Sequence, residues 1–152
     1  MSVEFRHGDC LISDDRAKLD VDAIHAFLTR SYWAADIPRE VVARSLANSL
    51  CLGIYTATGE QIGLVRVISD YATFAYLCDV YVLEAHRCRG LGKALVAASL
   101  AHPDLQGLRR LMLATASAHA VYAPFGFAAP AHPDRLMEIL RPDLYLTRTE
   151  SY

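Results

Sequence analysis

The stretch from residue 79 to residue 95 constrains the fold most, because it reads as a strand, a turn and a helix in direct succession. Val80 and Val82 alternate along an apolar, β-branched segment, which is typical of a strand. A turn with two glycines among three cations follows, and a helix is predicted from residue 91 to about residue 101. Unpaired amides and the helix dipole at such a turn can bind phosphate oxygens.

Two common phosphate motifs do not match this turn. A P-loop would need glycine at position 87 and serine or threonine at position 94, where the chain has Arg87 and Ala94. A dinucleotide fingerprint read from Gly90 would need glycine at position 95, which is Leu95. The pattern that remains is Arg-x-x-Gly-x-Gly at 87–92, directly after a valine-rich strand.

Composition predicts one folded domain over residues 1–152, with its core in about residues 3–141, because 53% of the residues are hydrophobic and 21% are charged. A net charge of −2 favours neither nucleic acid nor an anionic membrane as partner. No apolar run reaches the length of a membrane span, and residues 1–6 contain no signal core. The four cysteines have no paired spacing, which predicts reduced thiols in a cytoplasmic protein, and the histidine spacing gives no support for a metal site.

The other apolar patterns predict an α+β fold. The predicted strands cover about 3–13, with an interruption at Gly8-Asp9, and about 50–56, 61–69, 73–83, 109–115 and 136–140. The predicted helices cover about 20–30, 38–48, 91–101 and 117–124. Antiparallel hairpins followed by one βαβ crossover imply a mixed sheet. Strand 73–83 is largely apolar on both faces, apart from Asp79, so it should lie at the centre of the sheet.

The glycine turn resembles the pyrophosphate loop of the GCN5-related N-acetyltransferase (GNAT) superfamily, whose usual form is Gln/Arg-x-x-Gly-x-Gly/Ala. About thirty residues later, Tyr-x-x-x-Gly-Phe at 122–127 resembles a second motif of that family, in the right order and spacing. The resemblance covers roughly residues 3–141. It implies a mixed, mostly antiparallel sheet of about seven strands, flanked by helices and splayed between its fourth and fifth strands. It also implies an N-acetyltransferase that uses acetyl-CoA as co-substrate, without a metal.

The resemblance assigns the parts of a CoA site. The turn amides of residues 88–93 would hold the pyrophosphate, and the backbone of the valine-rich strand would pair with the pantetheine arm. Where many family members have an asparagine that contacts the cofactor, this chain offers only Ser117 as a smaller substitute. The predicted cofactor-binding residues are Val80, Tyr81, Val82, Arg87, Cys88, Arg89, Gly90, Leu91, Gly92, Lys93, Ser117 and Tyr122.

Tyr122 is the predicted general acid for the departing CoA thiolate, since it stands where the family's catalytic tyrosine stands and a phenol keeps its proton at neutral pH. An alternative is that Tyr122 only hydrogen-bonds the CoA sulfur. Asp79 and Tyr76 are candidates for the general base, and a water chain ending at either is equally consistent with the sequence. An ion pair with Arg66 is the alternative role for Asp79.

The predicted acceptor site lies between the first two helices and the start of the central strand. Tyr32 and Trp33 would receive an apolar or cationic substrate body and Asp36 an ammonium group, while Tyr71 and Phe74 would form the opposite wall. Alternatively, Trp33 only covers the core. The pattern does not separate a small-molecule amine from a peptide amine.

Direct transfer in a ternary complex is favoured over an acetyl-cysteine intermediate, because Cys78 lies in the apolar strand, where its thiol would be less reactive, and Cys88 lies in the phosphate loop. Two other functions fit the same motifs, namely a non-catalytic CoA or acyl-CoA sensor and an acyltransferase that uses a longer acyl-CoA. Pairing of sheet edges at the C-terminal strand would allow a homodimer.

Overall fold

A computed structural model describes residues 1–149 of the chain, and the side chains of residues 1–146. The strands are β1 (Glu4–His7), β2 (Cys10–Ser13), β3 (Leu50–Tyr55), β4 (Gln61–Ser69), β5 (Phe74–Val82) and β6 (Arg110–Leu113). The helices are α1 (Val21–Leu28), α2 (Arg39–Ala47), α3 (Leu91–Ala101), α4 (His119–Tyr122) and α5 (Leu144–Thr149). No helix in residues 1–149 combines the length and the apolar character needed to cross a membrane.

The strands form one sheet in the order β1-β2-β3-β4-β5-β6. Every neighbouring pair is antiparallel except β5 and β6, which are parallel because α3 crosses over between them. The predicted mixed, mostly antiparallel α+β fold is therefore confirmed, with six strands rather than seven.

The interruption predicted at Gly8-Asp9 within residues 3–13 is present, because Gly8 adopts a positive φ of 59° and reverses the chain between β1 and β2. One strand prediction was wrong. Residues 136–140 do not form a strand, because they follow a 3₁₀ turn at Pro133–Arg135 and find no neighbouring strand in the described chain with which to pair. An apolar sequence without a hydrogen-bonding partner stays irregular.

The sheet opens between β5 and β6. Their pairing runs only from Phe74 beside Arg110 to Leu77 beside Leu113. Residues 78–82 of β5 therefore have no strand on that side in the described chain. Since β1 and β2 count separately here, this is the gap that the family resemblance placed between the fourth and fifth strands.

The core has two layers, one on each face of the sheet. The larger layer packs α3 on the sheet through side chains such as Leu95, and the smaller one packs α1 and α2 through Ile24 and Leu46. The two helices are set by local signals that the sequence predicts. The Asp20 carboxylate accepts from the amide of Ala23 and caps α1, and Pro38 precedes the first turn of α2.

Candidate functional site

Residues 87–93, here called the phosphate loop after their predicted role, comprise the turn before α3 and the first residues of that helix. Cys88 and Gly90 both have positive φ, of 64° and 73°, so the backbone changes hand twice within three residues. None of the six amides of residues 88–93 donates a hydrogen bond to another described residue, and the first turn of α3 contains no acidic side chain. A concave run of free amides at a helix N-terminus is an anion site.

The cations of the phosphate loop are exposed and hold the loop to its surroundings. Arg87 donates through Nε to the carbonyl oxygen of Val82 at 3.2 Å. Arg89 lies 3.1 Å from His86 Nδ1 and forms an ion pair of 3.2 Å with Asp9 in the β1–β2 turn. Lys93 is exposed in the first turn of α3. The segment that carries the free amides therefore also carries three exposed positive side chains.

The contacts from the β1–β2 turn were missed by the sequence analysis. In addition to the Asp9 ion pair, the ring nitrogen Nε2 of His7 lies 3.3 Å from the carbonyl oxygen of Arg89. These contacts join positions about eighty residues apart, and no local pattern in the chain predicts them.

A β-bulge interrupts β5 directly before the predicted pantetheine-binding residues. Leu64 pairs with Tyr81 but Arg66 pairs with Cys78, so Asp79 and the residue after it together oppose a single residue of β4. Asp79 has φ 52°, a conformation that costs an aspartate on the order of 1–3 kcal/mol. The bulge turns the Asp79 side chain away from the regular ladder.

The Asp79 carboxylate has a hydrogen-bond donor on each oxygen. Trp33 donates its indole N–H to Oδ1 at 2.9 Å, and Arg66 donates Nε to Oδ2 at 2.7 Å. Arg66 also donates to the Ser49 hydroxyl at 3.1 Å. The Arg66 and Asp79 side chains are only 16% and 9% exposed. The alternative ion pair with Arg66 is therefore observed, while the base role of Asp79 stays a prediction.

Tyr122 is buried at the end of α4 and packs edge-to-face on Phe127, with ring centroids 6.0 Å apart. Burial raises the pKa of the Tyr122 phenol, and the nearby Tyr32 phenol raises it further. The fold thus brings Tyr32, from the segment between α1 and α2, within electrostatic range of Tyr122. A raised pKa keeps the phenol protonated at neutral pH, as a general acid requires.

Residues 29–37 connect α1 to α2 and are here called the acceptor loop after their predicted role. The Ser31 hydroxyl donates to the Leu28 carbonyl at 2.6 Å and accepts from the Ala34 amide at 3.1 Å, which fixes the turn. Trp33 is half-exposed and packs edge-to-face on the exposed Tyr32 ring, with 5.1 Å between the ring centroids. Trp33 therefore does more than cover the core, because its indole N–H also donates a hydrogen bond to Asp79 in β5.

The remaining predicted acceptor-site and base residues differ in how far they are exposed to solvent. Tyr71 is half-exposed with a positive φ of 60° in the β4–β5 turn, and Phe74 is partly buried. Tyr76 is partly buried, and burial, followed by the charges of Cys78, Asp79 and Glu138, raises its pKa. Asp36 is exposed with φ 64°.

Three further side chains bear on the chemistry. Burial raises the pKa of Cys78 to about 12, which makes its thiol a poor nucleophile at neutral pH. Cys88 is exposed.

Ser117, the predicted substitute for the family's asparagine, is exposed after β6. The hydrogen bond from the Ala118 amide in this segment goes to the Thr115 hydroxyl, at 2.9 Å, and not to Ser117. No cluster of three potential metal ligands occurs among the side chains that the structure describes.

Comparison with known proteins places the chain in one family. The model of the GNAT acetyltransferase family matches residues 18–127. A protein of Gibberella zeae (strain PH-1) named "Putative acetyltransferase FG08082" is 40% identical, over 71% of this chain and 72% of that protein. The chain therefore belongs to the GNAT family of acetyltransferases, which are acyltransferases.

Solved structures show the same fold. A GNAT-family protein of Xanthomonas campestris pv. campestris is 51% identical, with a TM-score of 0.87 over 93% of this chain and 98% of that one. A GNAT acetyltransferase of Elizabethkingia anophelis, solved with acetyl-CoA bound, is 16% identical, with a TM-score of 0.62 over 89% of this chain and 90% of that one.

Proposed function

We propose that this chain is a single-domain N-acetyltransferase that moves the acetyl group of acetyl-CoA directly to a primary amine. The observation that carries the proposal is the run of six free amides in the phosphate loop, set among three exposed cations at the N-terminus of α3. A pyrophosphate presents charged oxygens that such amides and cations bind through charge-assisted hydrogen bonds. The acetyl-CoA bound to the Elizabethkingia anophelis relative supports the same ligand for this fold.

The open side of β5 would take the pantetheine arm. Val80 and Val82 lie in the part of the strand that no other strand of residues 1–149 pairs with on the side of β6, so backbone groups there are available to an extended ligand. Tyr81 contributes its backbone only, because its ring stacks on Phe27 with centroids 3.8 Å apart. The cofactor would then run from the phosphate loop along β5 toward Tyr122.

In the proposed reaction the neutral amine attacks the thioester carbon, the new N–C bond forms and the C–S bond breaks. Tyr122 gives its proton to the departing thiolate, for which its raised pKa and its burial are suitable. The proton of the attacking amine leaves toward Asp79, directly or through water. Tyr76, whose raised pKa keeps its phenol protonated, could only relay this proton by giving its own to a further acceptor. Asp79 keeps lone pairs beyond the two donors it already binds, so it retains the capacity to accept a proton.

The acceptor would enter beside the acceptor loop. Tyr32 and Trp33 offer aromatic faces, and Asp36 offers a carboxylate to an ammonium group. This combination fits an amine that is cationic before deprotonation, whether a small molecule or a peptide amine.

The proposal is tested by following thiol release from acetyl-CoA while a panel of small amines and peptide amines is supplied. Amine-dependent, multiple-turnover release, with the N-acetylated product found by mass spectrometry, is the expected result. Tight binding of CoA without turnover on any amine would instead make the chain a CoA sensor. Turnover that prefers a longer acyl-CoA would change the donor but keep the chemistry.

A further inference from the structure

Three side chains of neighbouring strands, Ile68, Tyr76 and Met112, lie side by side and are here called the apolar row. Ile68 of β4 pairs with Tyr76 of β5, and Tyr76 pairs with Met112 of β6. Paired residues project from the same face of a sheet, and neighbouring strands lie about 4.8 Å apart, so the row is about 10 Å wide. Phe74 and Cys78, two residues to either side of Tyr76, share this face.

The apolar row lies on the face of the sheet that carries α1 and α2, outside the part that these helices cover. Ala75 and Leu77, which flank Tyr76, pack in the core layer under α3, so Tyr76 projects from the opposite face. The buried sheet residues of the layer under α1 and α2 are Cys51, Leu64 and Tyr81. Among the described side chains, no member of the row belongs to that layer. Ile68 is accordingly 44% exposed, and the other two are partly buried.

The row adjoins the group formed by Trp33, Asp79 and Arg66. Arg66 pairs with Cys78, one position along the ladder from the row and on the same face. Tyr76 and Asp79 are three residues apart in β5, which is at most about 10 Å along a strand. An amine whose nitrogen lies near Asp79 can therefore place its body on the row.

The charged groups described beside the row largely cancel. Arg66 and Asp79 already form an ion pair at 2.7 Å. Arg110 is exposed at the start of β6, and Glu138 is close enough to influence the Tyr76 phenol electrostatically. These surroundings suit one amino group at the edge of the row and provide no set of polar partners above it.

An apolar floor selects the body of the acceptor by desolvation. A hydroxyl or a second ammonium group placed on Ile68 and Met112 would lose water without gaining a hydrogen bond, which is unfavourable. Each methylene moved from water onto apolar side chains is favourable instead, by about fourfold in affinity when it is fully buried. The row therefore disfavours amino sugars and polyamines and favours amines with an apolar body.

We propose that the acceptor is a small primary amine with an apolar body, an alkylamine or arylalkylamine, and that the apolar row binds this body. The inference rests on the proposed N-acetyltransferase function and names its acceptor class. Ile68 and Met112 then determine specificity. The sequence analysis singled out neither, because the pattern along one strand does not show which residues of the neighbouring strands lie beside it.

Steady-state kinetics of the full chain with acetyl-CoA test the proposal on the straight-chain amines from propylamine to hexylamine. Hexamethylenediamine is the matched polar amine, since it differs from hexylamine by a second amino group. In the wild type, kcat/KM should rise by about two- to fourfold with each methylene, the upper value corresponding to full burial. Hexylamine should exceed hexamethylenediamine by at least about tenfold, because the second ammonium group would lose hydration on the row.

Ile68→Ser and Ile68→Leu separate a binding role from a structural one. Ile68→Ser should lower the ratio of kcat/KM for hexylamine to that for propylamine by about tenfold, whereas Ile68→Leu keeps the apolar surface and should preserve the ratio. Met112→Gln should lower the same ratio. A structural defect would lower kcat/KM for both amines alike and leave the ratio unchanged, which would overturn the specificity role.

The outcomes distinguish the acceptor class from the proposed function. Equal kcat/KM for propylamine and hexylamine, or a preference for hexamethylenediamine, glucosamine or a peptide amine, would overturn the inference and leave the acetyltransferase intact. Binding of CoA without acetylation of any amine would overturn the proposed function. The row is then tested by binding alone, through the fluorescence of Trp33, the single tryptophan of the chain. With CoA present, hexylamine should bind the wild type about tenfold more tightly than Ile68→Ser. Equal affinities, or no binding, would overturn the inference as well.

Discussion

The two ends of the candidate site are built differently. The phosphate loop is local, since its amides, glycines and cations come from seven consecutive residues between β5 and α3. The acceptor end is assembled from distant segments, because Trp33, Arg66 and Asp79 meet across the acceptor loop, β4 and β5. The first end presents backbone amides, in a loop where Cys88 and Gly90 have positive φ, whereas the second depends on particular side chains and on the strained backbone of Asp79.

This difference has a consequence for substitution. A change at Arg87, Arg89 or Lys93 should weaken binding of the cofactor and leave the fold intact, because these three side chains are exposed. A change in the group formed by Trp33, Asp79 and Arg66 should lower both the stability of the fold and the binding of the acceptor, because Arg66 and Asp79 form a buried ion pair.

The largest expected effect is on stability, from Asp79→Asn. Asparagine tolerates the positive φ of this position, so the change removes the charge and leaves Arg66 buried without its counter-ion. The free energy of unfolding should fall by about 3 kcal/mol, the lower end for breaking a buried pair. Denaturant unfolding measures it, with Asp22→Asn as the control.

The control pair is exposed, since the Arg39 and Asp22 side chains are 54% and 80% accessible. Its loss should cost less than about 1 kcal/mol. Equal losses in the two variants would mean that the Asp79 pair does not stabilise the acceptor end.

Tyr122→Phe should give the next largest effect, on turnover. Removal of the general acid should lower kcat by about 100-fold, while the dissociation constant for CoA stays within about twofold. Because the pKa of Tyr122 is raised, the wild-type rate should not fall on the alkaline side until the pH exceeds about 10, where the phenol begins to lose its proton. Turnover of the variant within about twofold of wild type would remove the acid role.

The sequence predicts the local end of the site better than the end that is assembled from distant segments. The bounds of α3, residues 91–101, were predicted because Gly90 and the apolar spacing mark them locally. The bulge at Asp79 and its bond to Trp33 were not, since a bulge depends on the register of a partner strand rather than on the strand's own pattern. Asp79 itself stood out only as a carboxylate in an apolar strand.

The wrong strand prediction has a similar origin. The apolar sequence of residues 136–140 predicts a strand, but a strand forms only where an edge is available, and sequence alone does not provide that information. The break at Gly8, in contrast, was predicted, because glycine followed by aspartate is a local turn pattern.

Arg87→Glu should weaken cofactor binding at the local end. The loss of one or more charge-assisted bonds, each about 1.5–3 kcal/mol, should lower CoA affinity by at least tenfold with little change in stability. Arg44→Glu, at an exposed position on α2, has the same change of charge and serves as the control in calorimetric titration. Equal affinities in the two variants would contradict the loop assignment.

Trp33→Phe should weaken binding of the acceptor amine and leave binding of the cofactor unchanged. The aromatic face is kept but the indole donor to Asp79 is lost, and a hydrogen bond to a charged group is worth about 1.5 kcal/mol at the low end. For the amine that the thiol-release screen identifies, KM should rise about tenfold at constant CoA affinity. An unchanged KM would limit Trp33 to a packing role.

Asp9→Asn should give the smallest effect, in the opposite direction. Asp9 holds Arg89 in an exposed ion pair, which is worth less than about 1 kcal/mol, so its removal should raise CoA affinity by a few-fold at most. Isothermal titration with CoA measures the change. A clear loss of affinity would show that Asp9 positions Arg89 for the phosphate rather than competing for it.

Calorimetric titration of the purified chain with acetyl-CoA, CoA and ATP tests the central claim most directly, because it measures whether the free amides of the phosphate loop select a CoA pyrophosphate. Binding of both CoA forms with micromolar affinity and no binding of ATP is the predicted result. Absence of CoA binding, or equal affinity for ATP, would contradict the assignment of residues 87–93 as the CoA phosphate site.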